Sequence, residues 1–419
     1  MAYQNYQLTN GAKIYLVPQE NAKSVTVLMM YPVGSRYEQG NLAGVSHYIE
    51  HLMFKGTKKR PNTLTLTREI DRLGAEYNAF TSKEYTGYYI KSDSQYLNIS
   101  LDILSDMLFN SLFDAKEMQK EKNVIVEEIR MYKDNPLMNI ENVFENLMYV
   151  GKLGRNIAGT EKHVLNYERK AVLNYRNKYY QPNNIIVVVA GKVDEKTKKL
   201  VNKYFGKRKN QSRVSQAFTP AKFGAVSRER RILVEHKQTD QAQMMLGWPG
   251  FKYDHRSNTA MAVLNTILGG SMSSRLFIQI REKRGLAYLV RSGVQNFRDT
   301  GYSYIRVGLE VQNINKALLV IKQEIDKIKK QGVTKKELAD AKTHIRGALT
   351  LSLEDSSVQA SWYSSQALFM KKIETPEEKL KKLEKVTNAE IKVLFNKIFK
   401  WQQMRVAVIG DVKKEEVKF

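Results

Sequence analysis

The chain has 419 residues, of which 42% are apolar and 10% aromatic, so it can bury a large core and is not predicted to be disordered. It contains no cysteine, which excludes disulfides and thiolate metal sites. The formal net charge is +25, but residues 1–150 contain 16 Lys and Arg against 18 Asp and Glu, whereas residues 151–300 contain 29 against 10. Because no helix-turn-helix, zinc-finger or RNA-recognition motif accompanies this excess, it predicts a lysine-rich surface and no nucleic-acid partner.

The first residues, Met1 to Tyr6, show no cationic segment followed by an apolar run, so no secretory signal is predicted. No window approaches the roughly 18 consecutive apolar residues of a membrane-spanning helix. We therefore expect a cytoplasmic protein without a membrane partner.

The sharpest local pattern lies at residues 44–57, where the apolar residues follow helical spacing. At 100° per residue, His47 and His51 project about 40° apart on this helix, with Glu50 beside them. Two imidazoles one turn apart can bind one tetrahedral cation, and a neighbouring carboxylate can take a proton from metal-bound water. With this composition, the pattern is expected by chance only about 0.006 times. It therefore predicts a metal site.

A catalytic zinc site usually has three protein ligands, so a third is missing from this helix. The other four histidines stand far apart in the sequence, which favours a carboxylate as the third ligand. The acidic segment 121–130 offers two, because Glu121 and Glu128 lie on one face of a predicted helix, whereas Glu127 points about a quarter-turn away. The residue pattern alone leaves the choice between Glu121 and Glu128 open.

The two halves of the chain read alike. Apolar runs at 184–194 and 404–412 both reach a Gly and predict buried strands, and a capping pattern begins a helix at Asp114 in one half and at Thr334 in the other. This repetition predicts an α+β fold with two homologous domains, each a mostly antiparallel sheet with helices packed on one face.

The polar, basic stretch after Gly206 has the composition of a linker. We therefore expect an N-terminal domain at 1–210, a linker at 211–230 and a C-terminal domain at 231–419.

The order His47, Glu50, His51 resembles the inverted zinc motif of the pitrilysin or insulinase family of peptidases, the inverzincins. That family includes insulin-degrading enzyme and mitochondrial processing peptidase. Its third ligand is a Glu about 75 residues beyond the second His, with an acidic residue seven positions earlier. The resemblance therefore implies Glu128 as the third metal ligand and Glu121 as its support.

Further segments extend the resemblance along the chain. Residues 34–38, Gly-Ser-Arg-Tyr-Glu, precede the motif as in short bacterial members, although Ser46 stands where Ala is usual. Residues 78–82 resemble the family's substrate-binding edge strand, on which an extended peptide pairs through main-chain hydrogen bonds. The resemblance implies substrate binding by four residues of this strand: Asn78, Ala79, Phe80 and Thr81.

In the second half, Arg281 and Tyr288 match an Arg and a Tyr that in the family reach the active site. The resemblance implies that they bind the substrate carbonyl and stabilise the oxyanion, as catalytic residues. Aligning the two halves places Ala341 opposite Glu121 and Ala348 opposite Glu128, so one Zn²⁺ per chain is expected, in the first half.

The family resemblance implies a zinc metalloendopeptidase for peptides or unfolded segments, with Glu50 as general base on zinc-bound water. Short members enclose the site in a dimeric chamber, so we expect a homodimer, with a heterodimer containing an inactive homologue as the alternative. The alternative function is a non-catalytic peptide-binding or assembly subunit of the same fold.

Overall fold

The computed structural model describes residues 3–211, 214, 218–225, 227 and 230–418. Its strands are β1 Gln4–Gln7, β2 Lys13–Pro18, β3 Ser24–Tyr31, β4 Glu76–Thr81, β5 Thr86–Asp93, β6 Tyr149–Val150, β7 Ile186–Gly191, β8 Lys222–Phe223, β9 Ile232–His236, β10 Gln241–Pro249, β11 Ala287–Asn296, β12 Gly301–Glu310 and β13 Arg405–Gly410.

Its α-helices are α1 Val45–Leu52, α2 Thr63–Asp71, α3 Leu97–Asn110, α4 Ala115–Asp134, α5 Pro136–Met148, α6 Glu161–Leu165, α7 Arg169–Tyr179, α8 Glu195–Val201, α9 Asn258–Gly269, α10 Ile314–Gln331, α11 Lys335–Ser352, α12 Ser356–Phe369, α13 Pro376–Glu384 and α14 Asn388–Ile398. Within the described residues, none of these helices is both long and apolar enough to span a bilayer.

The chain divides into two compact units. The first comprises residues 1–129, 156–219 and 351–375. Its sheet has the order β1-β2-β7-β3-β5-β4, in which β2 and β7 are parallel and the other pairs are antiparallel. Strand β4 is therefore an edge strand, and the helix that carries the histidine pair lies in the connection between β3 and β4.

Both faces of this sheet are covered. Alternate residues such as Val187 and Val189 pack in the core that contains helices α1, α3 and α7. The residues between them, such as Val188, pack on the opposite face against Ala360 and Tyr363 of α12. Because neighbouring strand residues point to opposite faces, burial on both sides explains why β7 is apolar throughout.

The second unit comprises residues 130–155, 220–350 and 376–419. Its main sheet has the order β11-β12-β10-β13-β9, with β9 and β13 parallel. In reverse, this order is β9-β13-β10-β12-β11, and it corresponds strand by strand to β2-β7-β3-β5-β4 of the first unit. The predicted duplication and the α+β class are therefore confirmed. On one face of this sheet, Ile140 and Phe144 of α5 pack against strands β10 and β13.

Two helices make these units discontinuous in sequence. Helix α5 lies within the predicted N-terminal domain but packs in the second unit, and α12 lies within the predicted C-terminal domain but packs in the first. The units therefore differ from the contiguous ranges 1–210 and 231–419, because each sheet is also covered on the face away from its other helices. The linker expected at 211–230 falls partly outside the described residues.

Candidate metal centre

Helix α1 is held by its apolar stripe and by hydrogen bonds, one of which reaches helix α4. Val45, Tyr48, Ile49 and Leu52 are buried in the core of the first unit. The Tyr48 hydroxyl donates a hydrogen bond of 2.6 Å to the carbonyl of Met118 in α4. Packing and this bond together fix α1 beside α4, so the two segments that the sequence singled out lie next to each other.

Three potential ligand atoms converge between these helices. The Nε2 atoms of His47 and His51 lie 3.3 Å apart. The Oε2 atom of Glu128 lies 3.6 Å from the first nitrogen and 3.5 Å from the second. Ligand atoms bound tetrahedrally at about 2.0–2.1 Å are separated by about 3.3–3.4 Å, so the spacing and the donor types fit Zn²⁺.

Glu121 occupies a different position from Glu128. Its Oε1 lies 2.8 Å from Nδ1 of His51, and its Oε2 pairs at 2.6 Å with the ammonium of Lys55. A carboxylate on Nδ1 fixes the imidazole with its Nε2 lone pair available for a metal. The structure thus separates the two carboxylates that helical periodicity left equivalent: Glu128 faces the ligand nitrogens, and Glu121 orients one of the histidines.

The electrostatics of the centre follow from burial and from these carboxylates. Burial, and secondarily the charge of His51, lower the pKa of His47 to about 3, which keeps this imidazole neutral. Burial also lowers the pKa of His51, but the hydrogen bond and charge of Glu121 outweigh it and raise that pKa overall. Burial raises the pKa of Glu128.

Glu50 projects beside the histidine pair, and its carboxylate is held by the neighbouring edge strand. Its Oε2 accepts a hydrogen bond of 2.5 Å from the Thr81 hydroxyl at the end of β4. Burial raises the pKa of Glu50, although the Thr81 bond and the charge of His51 act in the opposite direction. A carboxylate held in this way can accept a proton close to the three ligand atoms.

The predicted substrate strand is β4, and its place at the sheet edge leaves one side without a strand partner among the described residues. Asn78 is exposed, Ala79 is buried, and Phe80 and Thr81 are half-buried. The arrangement brings an unpaired strand edge next to Glu50, through Thr81.

Arg281 and Tyr288 lie in the second unit and line one cavity there, of about 670 Å³. The guanidinium of Arg281 lies 4.9 Å from the centre of the Phe277 ring. The hydroxyl of Tyr288, on β11, accepts a hydrogen bond from the Gln243 amide. The structure brings these two residues together, and their catalytic role stays a prediction.

Sequence reasoning missed several residues that hold the centre. Lys55 neutralises Glu121, and the hydroxyl of Tyr48 anchors α1. Glu38 accepts hydrogen bonds from the first turn of α1 and was noted only for its place in a motif. A carboxylate a few residues before the start of a helix can indicate such a cap, and on this basis the sequence could have predicted the role of Glu38.

Among the described residues, one group of His, Asp and Glu side chains has its ligand atoms close enough to hold a metal ion, and it is His47, His51 and Glu128. In the second unit, Ala341 and Ala348 are the seventh and fourteenth residues of α11, as Glu121 and Glu128 are of α4. The fold and the centre therefore define a duplicated α+β protein with one candidate zinc site, in its first unit.

Family profiles match both halves of the chain. The profile described as "Insulinase (Peptidase family M16)" matches residues 13–161, and the one described as "Peptidase M16 inactive domain" matches residues 166–345. The chain belongs to the insulinase family of peptidases, M16.

Similar proteins cover nearly the whole chain. The "uncharacterized zinc protease YmxG" of Bacillus subtilis is 34% identical over 94% of this chain and 95% of its own. A Streptomyces coelicolor protein, also named an uncharacterized zinc protease, is 32% identical over 98% of this chain and 90% of its own. The crystal structure of a Helicobacter pylori protease superposes with a TM-score of 0.90, at 25% identity, over 98% of this chain and 99% of that one.

Proposed function

We propose that this chain is a zinc-dependent endopeptidase. The observation that carries the proposal is the convergence of two imidazole nitrogens and a carboxylate oxygen at 3.3–3.6 Å, with Glu50 beside them. His47, His51 and Glu128 would hold one Zn²⁺, with Glu121 orienting His51. When bound there, Zn²⁺ supplies a Lewis acid that polarises a substrate carbonyl and makes a water molecule more acidic.

The side chains of this centre would move the proton. A carboxylate oxygen of Glu50 takes a proton from the attacking water as the C–O bond forms, and it returns that proton to the amine nitrogen as the C–N bond breaks. The hydroxyl of Thr81 keeps Glu50 in place through its hydrogen bond. Arg281 and Tyr288 would bind the carbonyl oxygen and stabilise its developing negative charge.

The substrate would be an extended peptide or an unfolded segment. Main-chain groups on the open edge of β4, along Asn78 to Thr81, can pair with such a strand with little regard for its sequence. We propose, as expected from the family, a cytoplasmic homodimer that encloses this edge in a chamber. The retention of Glu50 beside the ligand set favours an enzyme over an assembly subunit.

The decisive experiment measures zinc content and cleavage of a quenched peptide library for the wild type and Glu50→Gln. We expect about one zinc in both proteins and roughly 10²–10⁴-fold slower cleavage in the variant, because only the base is removed. Glu117→Gln is the matched control, since this residue of α4 pairs with Lys120 instead of facing the ligands. Full activity in Glu50→Gln would disprove the role of Glu50, and a wild type without zinc would disprove the proposal.

A further inference from the structure

The start of helix α1 is closed by a side chain from outside the helix. The residue at the N-cap position, Gly44, has no side chain to accept the free N–H groups of the first turn. Glu38, which is 4% exposed, supplies both acceptors: its Oε2 receives the N–H of Gly44 at 2.6 Å, and its Oε1 receives the N–H of Ser46 at 2.8 Å. A single buried carboxylate therefore closes the turn from which His47 projects.

The backbone at this turn allows no simpler cap. Gly44 has a φ of +96°, in the left-handed region, and a Cβ on it would lie 2.3 Å from the carbonyl oxygen of Ala158. A serine, threonine or aspartate at this position would therefore be excluded by strain and by contact. Because the position must be glycine, the hydrogen bonds of an N-cap have to come from another residue, and Glu38 provides them.

The hydroxyl groups of two tyrosines also contact this turn. The hydroxyl of Tyr167 donates a hydrogen bond of 2.5 Å to the carbonyl of Ala43, and the hydroxyl of Tyr175 lies 2.9 Å from that of Ser46. The side chain of Ser46 is fully buried. Its hydroxyl thus adds a contact to a turn that is already fixed by Glu38.

Helix α1 has only eight residues, so its first turn is a large part of it. His47 is the third helical residue, one position after the N–H that Glu38 binds, whereas Glu50 and His51 lie in the second turn. Fraying of the first turn would move the Nε2 atom of His47 away from Glu128, which it faces at 3.6 Å. The distance between these ligand atoms depends on a closed first turn.

We infer that Glu38 is a positioning residue of the metal centre, which sets the direction of His47 by binding the N–H groups of Gly44 and Ser46. The inference rests on the proposed function for its relevance to catalysis. The effect of Glu38 on the geometry of the metal ligands does not depend on any peptide being cleaved. Glu38 touches neither the ligand atoms nor the substrate strand in the described contacts, so it acts through the helix.

The test uses Co²⁺ alone as a probe on the full chain, because the visible absorption of this ion reports ligand geometry. Glu38→Gln keeps the size of the side chain but cannot accept two N–H groups with both terminal atoms. We expect about tenfold weaker Co²⁺ binding and a displaced absorption band, as is usual when a residue that orients ligands is changed. With a peptide substrate, kcat should fall about tenfold while KM stays within about twofold.

Asp106→Asn is the matched control for general destabilisation. Asp106 is also a buried carboxylate of the first unit, and it accepts hydrogen bonds from Thr57 and Arg60, both outside α1. We expect this variant to lose thermal stability while its Co²⁺ affinity and absorption stay at the wild-type values. Equal Co²⁺ affinity and spectra in Glu38→Gln and Asp106→Asn would overturn the inference.

A second variant keeps the inference open to refutation if Glu38→Gln does not fold. Glu38→Asp retains the carboxylate but shortens its reach, so Co²⁺ binding should weaken in the same direction by about threefold. Wild-type Co²⁺ affinity and spectrum in this variant would overturn the inference. A wild type that binds Co²⁺ and Zn²⁺ but cleaves no peptide would refute the proposed function alone, since the Co²⁺ measurements still decide the role of Glu38.

Discussion

The two units share a strand succession but differ in what their helices carry. In the connection that follows β3, helix α1 bears two histidines and a glutamate among its buried residues. In the corresponding connection after β10, helix α9 is mainly apolar, with nine of its 12 residues buried. Helix α4 supplies Glu121 and Glu128, whereas α11 has alanine at the aligned positions 341 and 348. The same architecture thus holds a candidate metal centre in one unit and plain packing in the other.

The difference extends to how firmly the helices are held. Helix α4 buries five residues, including the charged Glu121 and Lys122, whose ammonium donates to the carbonyls of Leu165 and Tyr167. Helix α11 buries only Ala341 of its 18 residues. A ligand must be held to within fractions of an ångström, and packing on several sides achieves this. Without ligands on α11, nothing requires that degree of burial.

The largest expected effect is the loss of the metal on removing a ligand in the first unit. His51→Ala should bind zinc at least a hundredfold more weakly, because two ligands remain where three were available. His344→Ala is the control in the second unit, since this histidine is exposed on α11. Metal analysis after dialysis measures both. A His51→Ala protein that retained one tightly bound zinc would show that the metal binds elsewhere. It would then contradict the assignment of the metal centre to the first unit.

A smaller effect is expected from the residue that orients His51. Glu121→Gln should weaken zinc binding about 10–100-fold, because the Nδ1 atom of His51 loses its charged partner. Titration with a competing chelator gives the affinity. Glu337→Gln, near the start of α11, is the matched change in the second unit: it removes the partner of Arg275 and should lower stability without affecting zinc. Equal zinc affinity in the two variants would contradict the role assigned to Glu121.

The contrast in burial can be measured with aligned isoleucines. Ile125→Ala in α4 should lower the free energy of unfolding by about 2–5 kcal/mol, because the side chain is fully buried. Ile345→Ala at the aligned position of α11 should cost about 1 kcal/mol, since Ile345 is only partly buried. Denaturant unfolding of the two variants gives both values. Equal losses would show that α11 is as firmly packed as α4.

A further expected effect is a pH dependence of stability that belongs to the first unit. Burial raises the pKa of Glu38 to about 7 from 4.5, although the N–H groups of Gly44 and Ser46 and the charge of Lys83 oppose the change. Between pH 4.5 and about 7, Glu38 therefore holds a proton in the folded chain that it has released in the unfolded chain. The stabilisation is therefore complete below pH 4.5 and is lost as the pH rises to about 7.

Glu38→Gln removes this proton equilibrium and provides the reference. Relative to the variant, the wild type should lose up to roughly 3 kcal/mol of unfolding free energy between pH 4.5 and 7. Denaturant melts of both proteins across this range test it. Parallel stability curves would mean that Glu38 has an ordinary pKa in the folded chain.

Much of the fold could be predicted from the sequence because its signals are local. The spacing of apolar residues placed α1, and capping residues placed the starts of α4 and α11: Asp114 accepts from the first turn of α4, and Thr334 and Glu337 form reciprocal bonds. The repetition of these local patterns was enough to predict a duplicated α+β chain. Contacts between distant segments leave no such trace, which is why the packing of α5 and α12 could not be predicted.

The residues of the candidate centre also separate into those that local sequence signals could predict and those that only long-range packing decides. The sequence by itself determined the pair His47 and His51 with Glu50 beside them, because a helix turns by a constant angle per residue. Periodicity could not choose between Glu121 and Glu128, since both lie on one helix face. Only the tertiary structure decided that one faces Nδ1 and the other Nε2 of the imidazoles, because that depends on where α4 packs against α1. The tertiary structure also decided the cap by Glu38, because the loop that carries Glu38 has to fold back on helix α1, which follows that loop.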